Sequence, residues 1–166
     1  MKQQTLVLIK PEAMQKNLTG YVLNKLAERE LQIVGIKPVK VSKELAEEHY
    51  KQLKNKPFFP ELIEYIQGGG YGINNLIAIV YEGENAIQVV REVAGATNPE
   101  EAKPTSIRGS FGRITTKGVF ENVIHASSSP EDAETEVKLW FSPTELMNVI
   151  YPIKITNISK NETVWE

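Results

Sequence analysis

Thr5 to Ile9 is an unbroken apolar run, and Lys10-Pro11 ends it abruptly. Five consecutive apolar or β-branched residues leave no polar face for water. The run therefore reads as a central strand covered on both sides. Asn75 to Tyr81 is a second such run, and Gln32 to Lys40 a third strand. Helical spacing fills the intervals. Thr19 to about Glu30 carries Val22, Leu23, Leu26 and Ala27 on one face. Ser42 opens a helix with Leu45, His49 and Leu53 on one side and Ala46 and Tyr50 beside them. Glu61 to Gln67 is a short helix using Leu62, Ile63 and Ile66, after Pro57-Phe58-Phe59-Pro60 interrupts. Glu84 to Ala94 turns Ala86, Ile87, Val90 and Val93 inward and stops at Gly95. The order of elements predicts an α/β sandwich, most economically one sheet with helices on one side.

Val119, Phe120, Val123 and Ile124 form a last apolar strand pattern that ends at His125. Ser129 suits an N-cap, Pro130 the first turn, and Glu131 and Asp132 the positive end of the helix dipole. In that helix Ala133, Val137 and Trp140 make the inward stripe, and Glu136 lies on the same side. A carboxylate there needs a partner. Pro143 opens a short helix to Ile150. Gly68-Gly69-Gly70-Tyr71-Gly72 is the densest glycine segment, but no Lys-Ser/Thr and no helix follow it, so it reads as a connection rather than a phosphate loop. Thr97 to Lys117 has no regular periodicity, a length uncommon in a compact domain unless the loop is functional.

The 166 residues suit one domain, 1–166, rather than two. A net charge of −2 argues against a general nucleic-acid or membrane-binding surface. The apolar run near the start is too short to be a signal segment or a membrane span. Cysteine is absent, which removes disulfides and thiolate metal sites and fits a reducing, cytoplasmic setting. The sequons at Asn17, Asn157 and Asn161 carry no weight without a secretion signal.

Several polar groups stand out from the apolar frame: Lys10 at a strand end, Arg91 at a helix end, Thr97 and Arg108 in the long loop, and Asn122 and His125 around the last strand. Two guanidinium forks and an ammonium match the oxygens of a di- or triphosphate. An imidazole with an ordinary pKa of about 6.5 is mostly uncharged at neutral pH and can accept a phosphate beside them. A histidine intermediate would divide one difficult transfer into two easier ones. Each residue also has a plainer role. His125 alone reads as a structural histidine, Glu136 as an ion-pair partner, Lys10 as a solvated strand end and Arg91 as a dipole complement. His49 reads as packing or a surface hydrogen bond.

The segments TLVLIKPEAMQ, HYKQLKNKPFF, REVAGATNP, SIRGSFG, NVIHASSS, EDAETEVKLWF and the closing VWE resemble the nucleoside diphosphate kinases nearly end to end. That resemblance implies a ferredoxin-like fold with a four-stranded antiparallel sheet. It implies His125 as the phosphorylated nucleophile, Glu136 as the group that orients it, Tyr50 close by and Ser127 as the family's serine beside it. Lys10, Arg91, Thr97 and Arg108 would hold the phosphates, with Lys10 also reaching the sugar, Asn122 the ribose 3′-hydroxyl, and Phe58 stacked on the base. Stacking accepts any base, so base selectivity should be low. Mg²⁺ would arrive on the nucleotide phosphates without a dedicated protein cage. The family also implies a homo-oligomer, a hexamer before a tetramer. The chain departs from the family pattern at Glu12, Ala126 and Ser128, where aspartate, glycine and aspartate are usual. The segments 68–75 and 111–121 are longer than usual. Two other classes fit less well: a nucleotide sensor that has lost its chemistry, and a ferredoxin-like RNA-binding domain, which would need surface aromatics and a basic face.

Overall fold

A computed structural model describes residues 2–156. The closing Val164-Trp165-Glu166 and the sequons at Asn157 and Asn161 lie outside the described residues. Four strands form the main sheet: β1 (Lys2–Ile9), β2 (Gln32–Lys40), β3 (Asn75–Glu84) and β6 (Ile124–Ala126). Their spatial order is β2-β3-β1-β6, and every neighbouring pair is antiparallel. The helices are α1 (Pro11–Gln15), α2 (Thr19–Ala27), α3 (Lys43–His49), α4 (Phe59–Ile66), α5 (Ala86–Ala94), α6 (Ile107–Phe111) and α7 (Pro130–Trp140). β4 (Arg113–Ile114) and β5 (Phe120–Glu121) pair in a separate two-stranded ribbon.

Helices cover both faces of the sheet, which corrects the one-sided expectation. Successive β1 side chains point to opposite faces. Leu6 and Leu8 pack with Ala46, Ile63, Ile66, Val137 and Trp140 of α3, α4 and α7. Val7 and Ile9 pack with Val22, Leu26, Val90 and Val93 of α2 and α5. All four β1 residues are fully buried. At about 1.5–3 kcal/mol for each large aliphatic side chain removed from water, β1 is the strand both layers are built on.

Other departures are local. Lys10-Pro11-Glu12 opens a helix, α1, with Pro11 in its first turn. Phe59 and Pro60 start α4 where an interruption was expected. The expected helix from Pro143 to Ile150 is a single 3₁₀ turn, Pro143–Glu145, stopped after its Ser142/Glu145 capping box. The long loop contains α6, capped by Ser106, and then β4.

The expected strand from Val119 to His125 is broken in two. Val123, between β5 and β6, has a φ of 71°. That region costs a β-branched residue about 1–3 kcal/mol, so the surroundings must hold it there.

The two segments expected to be long for the family, 68–75 and 111–121, meet each other. Tyr71 of the glycine-rich connection donates its hydroxyl to Glu121 Oε1 at 2.6 Å, and Arg113 of the ribbon donates to both Glu121 oxygens at 2.5 and 3.0 Å. Gly68, at a φ of 90°, makes the connection possible: a Cβ there would lie 1.7 Å from the Ile73 carbonyl oxygen.

Candidate functional site

The site forms where the carboxyl end of β1 meets β6 and the start of α7. His125, in β6, pairs with Leu8 of β1. The Ser129 hydroxyl accepts from the Asp132 N–H at 3.1 Å and caps α7. Nearly two turns on, Glu136 returns over the strand. His125 Nε2 lies 2.9 Å from Glu136 Oε2, and the Ser127 hydroxyl donates to the same oxygen at 2.7 Å. Ser127 is itself anchored, accepting from the Leu6 N–H at 3.0 Å. Two donors thus converge on one carboxylate oxygen and fix the imidazole's orientation. When the ring is uncharged and Nε2 carries the proton, the lone pair sits on Nδ1.

Lys10, one residue past β1, is buried rather than solvated. Its ammonium donates to Asn122 Oδ1 at 2.6 Å and lies 5.1 Å from the centre of the Tyr65 ring. Burial lowers its pKa to about 8, with Arg108 adding to the effect and Glu12 opposing it. Asn122 in turn donates to the Thr97 carbonyl at 2.9 Å, so Thr97 is tied to the site through its backbone while its side chain is exposed. Arg108 sits on α6, which the loop reading did not foresee. Its Nη1 donates to the Gly95 carbonyl at 2.9 Å and its Nη2 to the Ile124 carbonyl at 3.0 Å, the residue before His125. Burial, then repulsion from Arg91, lowers its pKa to about 10, and it stays cationic at neutral pH. Arg91 is exposed in the last turn of α5.

Tyr50 is buried just after α3, its hydroxyl pushed well above the usual range by burial, with the charges of Glu12 and Glu136 adding to the shift. Phe58 is half exposed at the N-cap of α4.

Two residues matter more here than the sequence reading allowed. His49 is buried, its ring 4.5 Å from that of His125 at an interplanar angle of 77°. Trp140 donates its indole N–H to His49 Nδ1 at 3.2 Å. Burial, with His125 and Lys10 nearby, pushes the His49 pKa well below its ordinary value. The ring is therefore neutral with its proton on Nε2. His49, His125 and Glu136 offer ligand atoms within 4.8 Å of one another, a donor set zinc could use. The Trp140 bond, however, leaves the His49 Nε2 without a lone pair to give. The signal for His49 was its place on the apolar side of α3 next to Tyr50.

Glu12 is the other. It is buried on α1 and accepts from the Tyr65 hydroxyl and, at 3.0 Å, from the Val123 N–H. Burial raises its pKa against the pull of Lys10 and these bonds. The sequence shows Lys10-Pro11 only as the end of a strand and Glu12 only as a departure from the family pattern, which concealed this role.

A model of the nucleoside diphosphate kinase family matches residues 3–146. The chain belongs to this family. A nucleoside diphosphate kinase of Symbiobacterium thermophilum is 46% identical over 143 residues, covering 86% of this chain and 89% of that protein. One from Archaeoglobus fulgidus is 44% identical, with 88% and 91% covered. Among solved structures, the Aquifex aeolicus nucleoside diphosphate kinase matches with a TM-score of 0.78 at 40% identity, covering 88% of this chain and 99% of that one. The Borrelia burgdorferi enzyme, described as a transition-state mimic with bound vanadate and ADP, matches with a TM-score of 0.80 at 31% identity, covering 90% and 93%. A Halobacterium salinarum nucleoside diphosphate kinase in complex with CDP also scores 0.80 at 33% identity, covering 91% and 95%. The four-stranded antiparallel sheet is thus the nucleoside diphosphate kinase fold, ferredoxin-like as the resemblance implied. Among the described residues no helix is long and apolar enough to cross a membrane.

Proposed function

We propose that the chain transfers the terminal phosphate of a nucleoside triphosphate to a nucleoside diphosphate through a phosphohistidine at His125. The observation that carries this reading is the Nε2–Glu136 contact of 2.9 Å beside the buried cations Lys10 and Arg108. Nδ1 of His125 attacks the γ-phosphorus. The bond from that phosphorus to the bridging oxygen breaks, and its electron pair leaves with the diphosphate. The ring gains positive charge, offset by Glu136 at Nε2, with Ser127 steadying the carboxylate. A second diphosphate then takes the phosphate by the reverse step. No net proton is consumed across the two halves. Phosphoryl transfer needs little covalent help, so positioning and charge neutralisation dominate.

Lys10, Arg91, Thr97 and Arg108 hold the phosphates, Asn122 and Lys10 face the sugar, Tyr50 stands by the histidine, and Phe58 stacks on the base with low selectivity. The nucleotides seen in the Borrelia and Halobacterium relatives support nucleotide partners here. Glu136 and Glu12 are already engaged by protein donors, so Mg²⁺ is expected to bind the nucleotide's phosphates and neutralise their charge there. The protein is expected to work as one domain over residues 1–166, in the cytoplasm, as a homo-oligomer, hexameric before tetrameric. Sedimentation of the purified protein measures the assembly.

The decisive experiment uses γ-labelled ATP. The wild type should form an acid-labile, alkali-stable phosphoprotein that passes its label to GDP. His125→Ala should form none. Label transfer by the variant would overturn the assignment.

A further inference from the structure

Val123 is the central residue of a γ-turn. The Ile124 N–H donates to the Asn122 carbonyl at 2.7 Å, closing three residues with φ positive in the middle, the rarer and strained form. A valine does not stay in that conformation unaided. Its N–H is held by Glu12 Oε1 at 3.0 Å, and its carbonyl accepts from the Lys10 backbone N–H, also at 3.0 Å. Glu12 is in turn gripped by the Tyr65 hydroxyl, and it is 1% exposed. On one side of the turn stands Asn122, bonded to the Lys10 ammonium. On the other stand Ile124, whose carbonyl anchors Arg108, and then His125. The turn therefore sets the distance between the sugar-facing amide, the buried guanidinium and the imidazole.

We propose that Glu12 is a positioning residue for phosphoryl transfer, holding Val123 in its strained turn and so spacing His125 against Asn122 and Arg108. The proposal rests on His125 being the nucleophile. Glu12 touches none of the reacting atoms and acts through the backbone of residue 123. A rival role for the same carboxylate is to balance the charge of Lys10, and the two roles separate by substitution. Glycine occupies positive φ without strain. If Glu12 holds the turn, Val123→Gly makes that hold unnecessary. If Glu12 serves the charge of Lys10, glycine at 123 changes nothing.

Kinetics of Glu12→Ala, Val123→Gly and the double variant test this. Glu12→Ala should lower kcat about 10²-fold, with KM for the nucleoside diphosphate within about threefold, because the phosphate grip is elsewhere. Val123→Gly should stay near the wild-type rate. The double variant should recover at least tenfold over Glu12→Ala. Should Glu12→Ala not fold, Glu12→Gln with and without Val123→Gly makes the same comparison, thermal unfolding confirming that each is folded. A folded Glu12 variant with unchanged kcat, a loss confined to KM, or no recovery with glycine overturns the proposal. Failure of the nucleophile assignment would show differently, as labelled phosphoprotein persisting in His125→Ala.

Discussion

Glu136 and Glu121 are both nearly buried carboxylates, and each accepts several hydrogen bonds, yet they serve different ends. Glu121 binds Arg113, Tyr71 and, at 3.3 Å, Lys16. Those donors tie the ribbon, the glycine-rich connection and the end of α1 together. Glu136 binds Ser127, which is fixed to β1, and His125, whose other nitrogen remains available. A buried acid with several donors is thus no mark of chemistry in itself. What distinguishes the inner site is that one of its donors keeps an uncommitted reactive atom, with cations buried beside it.

The sharpest way to press this contrast is on the inner cations. Arg108→Ala removes the charge proposed to stabilise the transferring phosphate and also two anchors, on Gly95 and on the residue before His125. Turnover should fall about 10³-fold, measured by coupled assay with thermal unfolding as control. Glu136→Gln should cost less, about 10²-fold, because the amide can still meet the ring but no longer offsets its growing charge. A Glu136→Gln enzyme at full rate would erase the distinction between the two carboxylates.

Lys10 sharpens the comparison through pH. Burial holds its pKa near 8, and in the proposed mechanism the ammonium is the form that meets phosphate. The cation is present below that pH and lost above it. For the free enzyme, kcat/KM should then decline about tenfold per unit above pH 8, the slope of a single deprotonation. A flat profile to pH 9.5 would mean that Lys10 keeps its proton or is not needed.

How far these features could be read from the chain depends on how local their causes are. The cap at Ser129 and the stripe of α7 lie within residues 129–140, where helical spacing suffices to place them, while the pairing of Glu136 with His125 came from the family resemblance. The apolar run of β1 likewise announces a strand buried on both faces, and the one-sided sheet failed because that signal was not carried through. Glu12 and Val123 are 111 residues apart, and nothing in Lys-Pro-Glu indicates that its carboxylate will hold a turn at the far end of the chain. His49 was visible as an apolar-face residue, but its tautomer depends on Trp140, 91 positions on. The ribbon and the glycine-rich connection were unreadable for the same reason, since each is explained by the other.

The outer carboxylate supplies the weakest effect on activity and the clearest one on stability. Burial alone would raise the Glu121 pKa, but Arg113, Tyr71 and Lys16 outweigh it and hold the group at about 2 against an ordinary 4.5. A depressed folded-state pKa means that the unfolded chain binds the proton first as pH falls. Glu121 therefore stabilises the fold fully above about 4.5, and that contribution is lost as pH drops toward 2. Glu121→Gln should lose about 1–2 kcal/mol at pH 7, tempered because Arg113 and Lys16 are partly exposed, which is a fall in Tm of about 2–8 °C. Its Tm should also vary less than that of the wild type between pH 5 and 3, while kcat at pH 7 and 25 °C stays within about twofold. A large loss of kcat with little change in Tm would move Glu121 from the frame into the site, and the two carboxylates would no longer differ in kind.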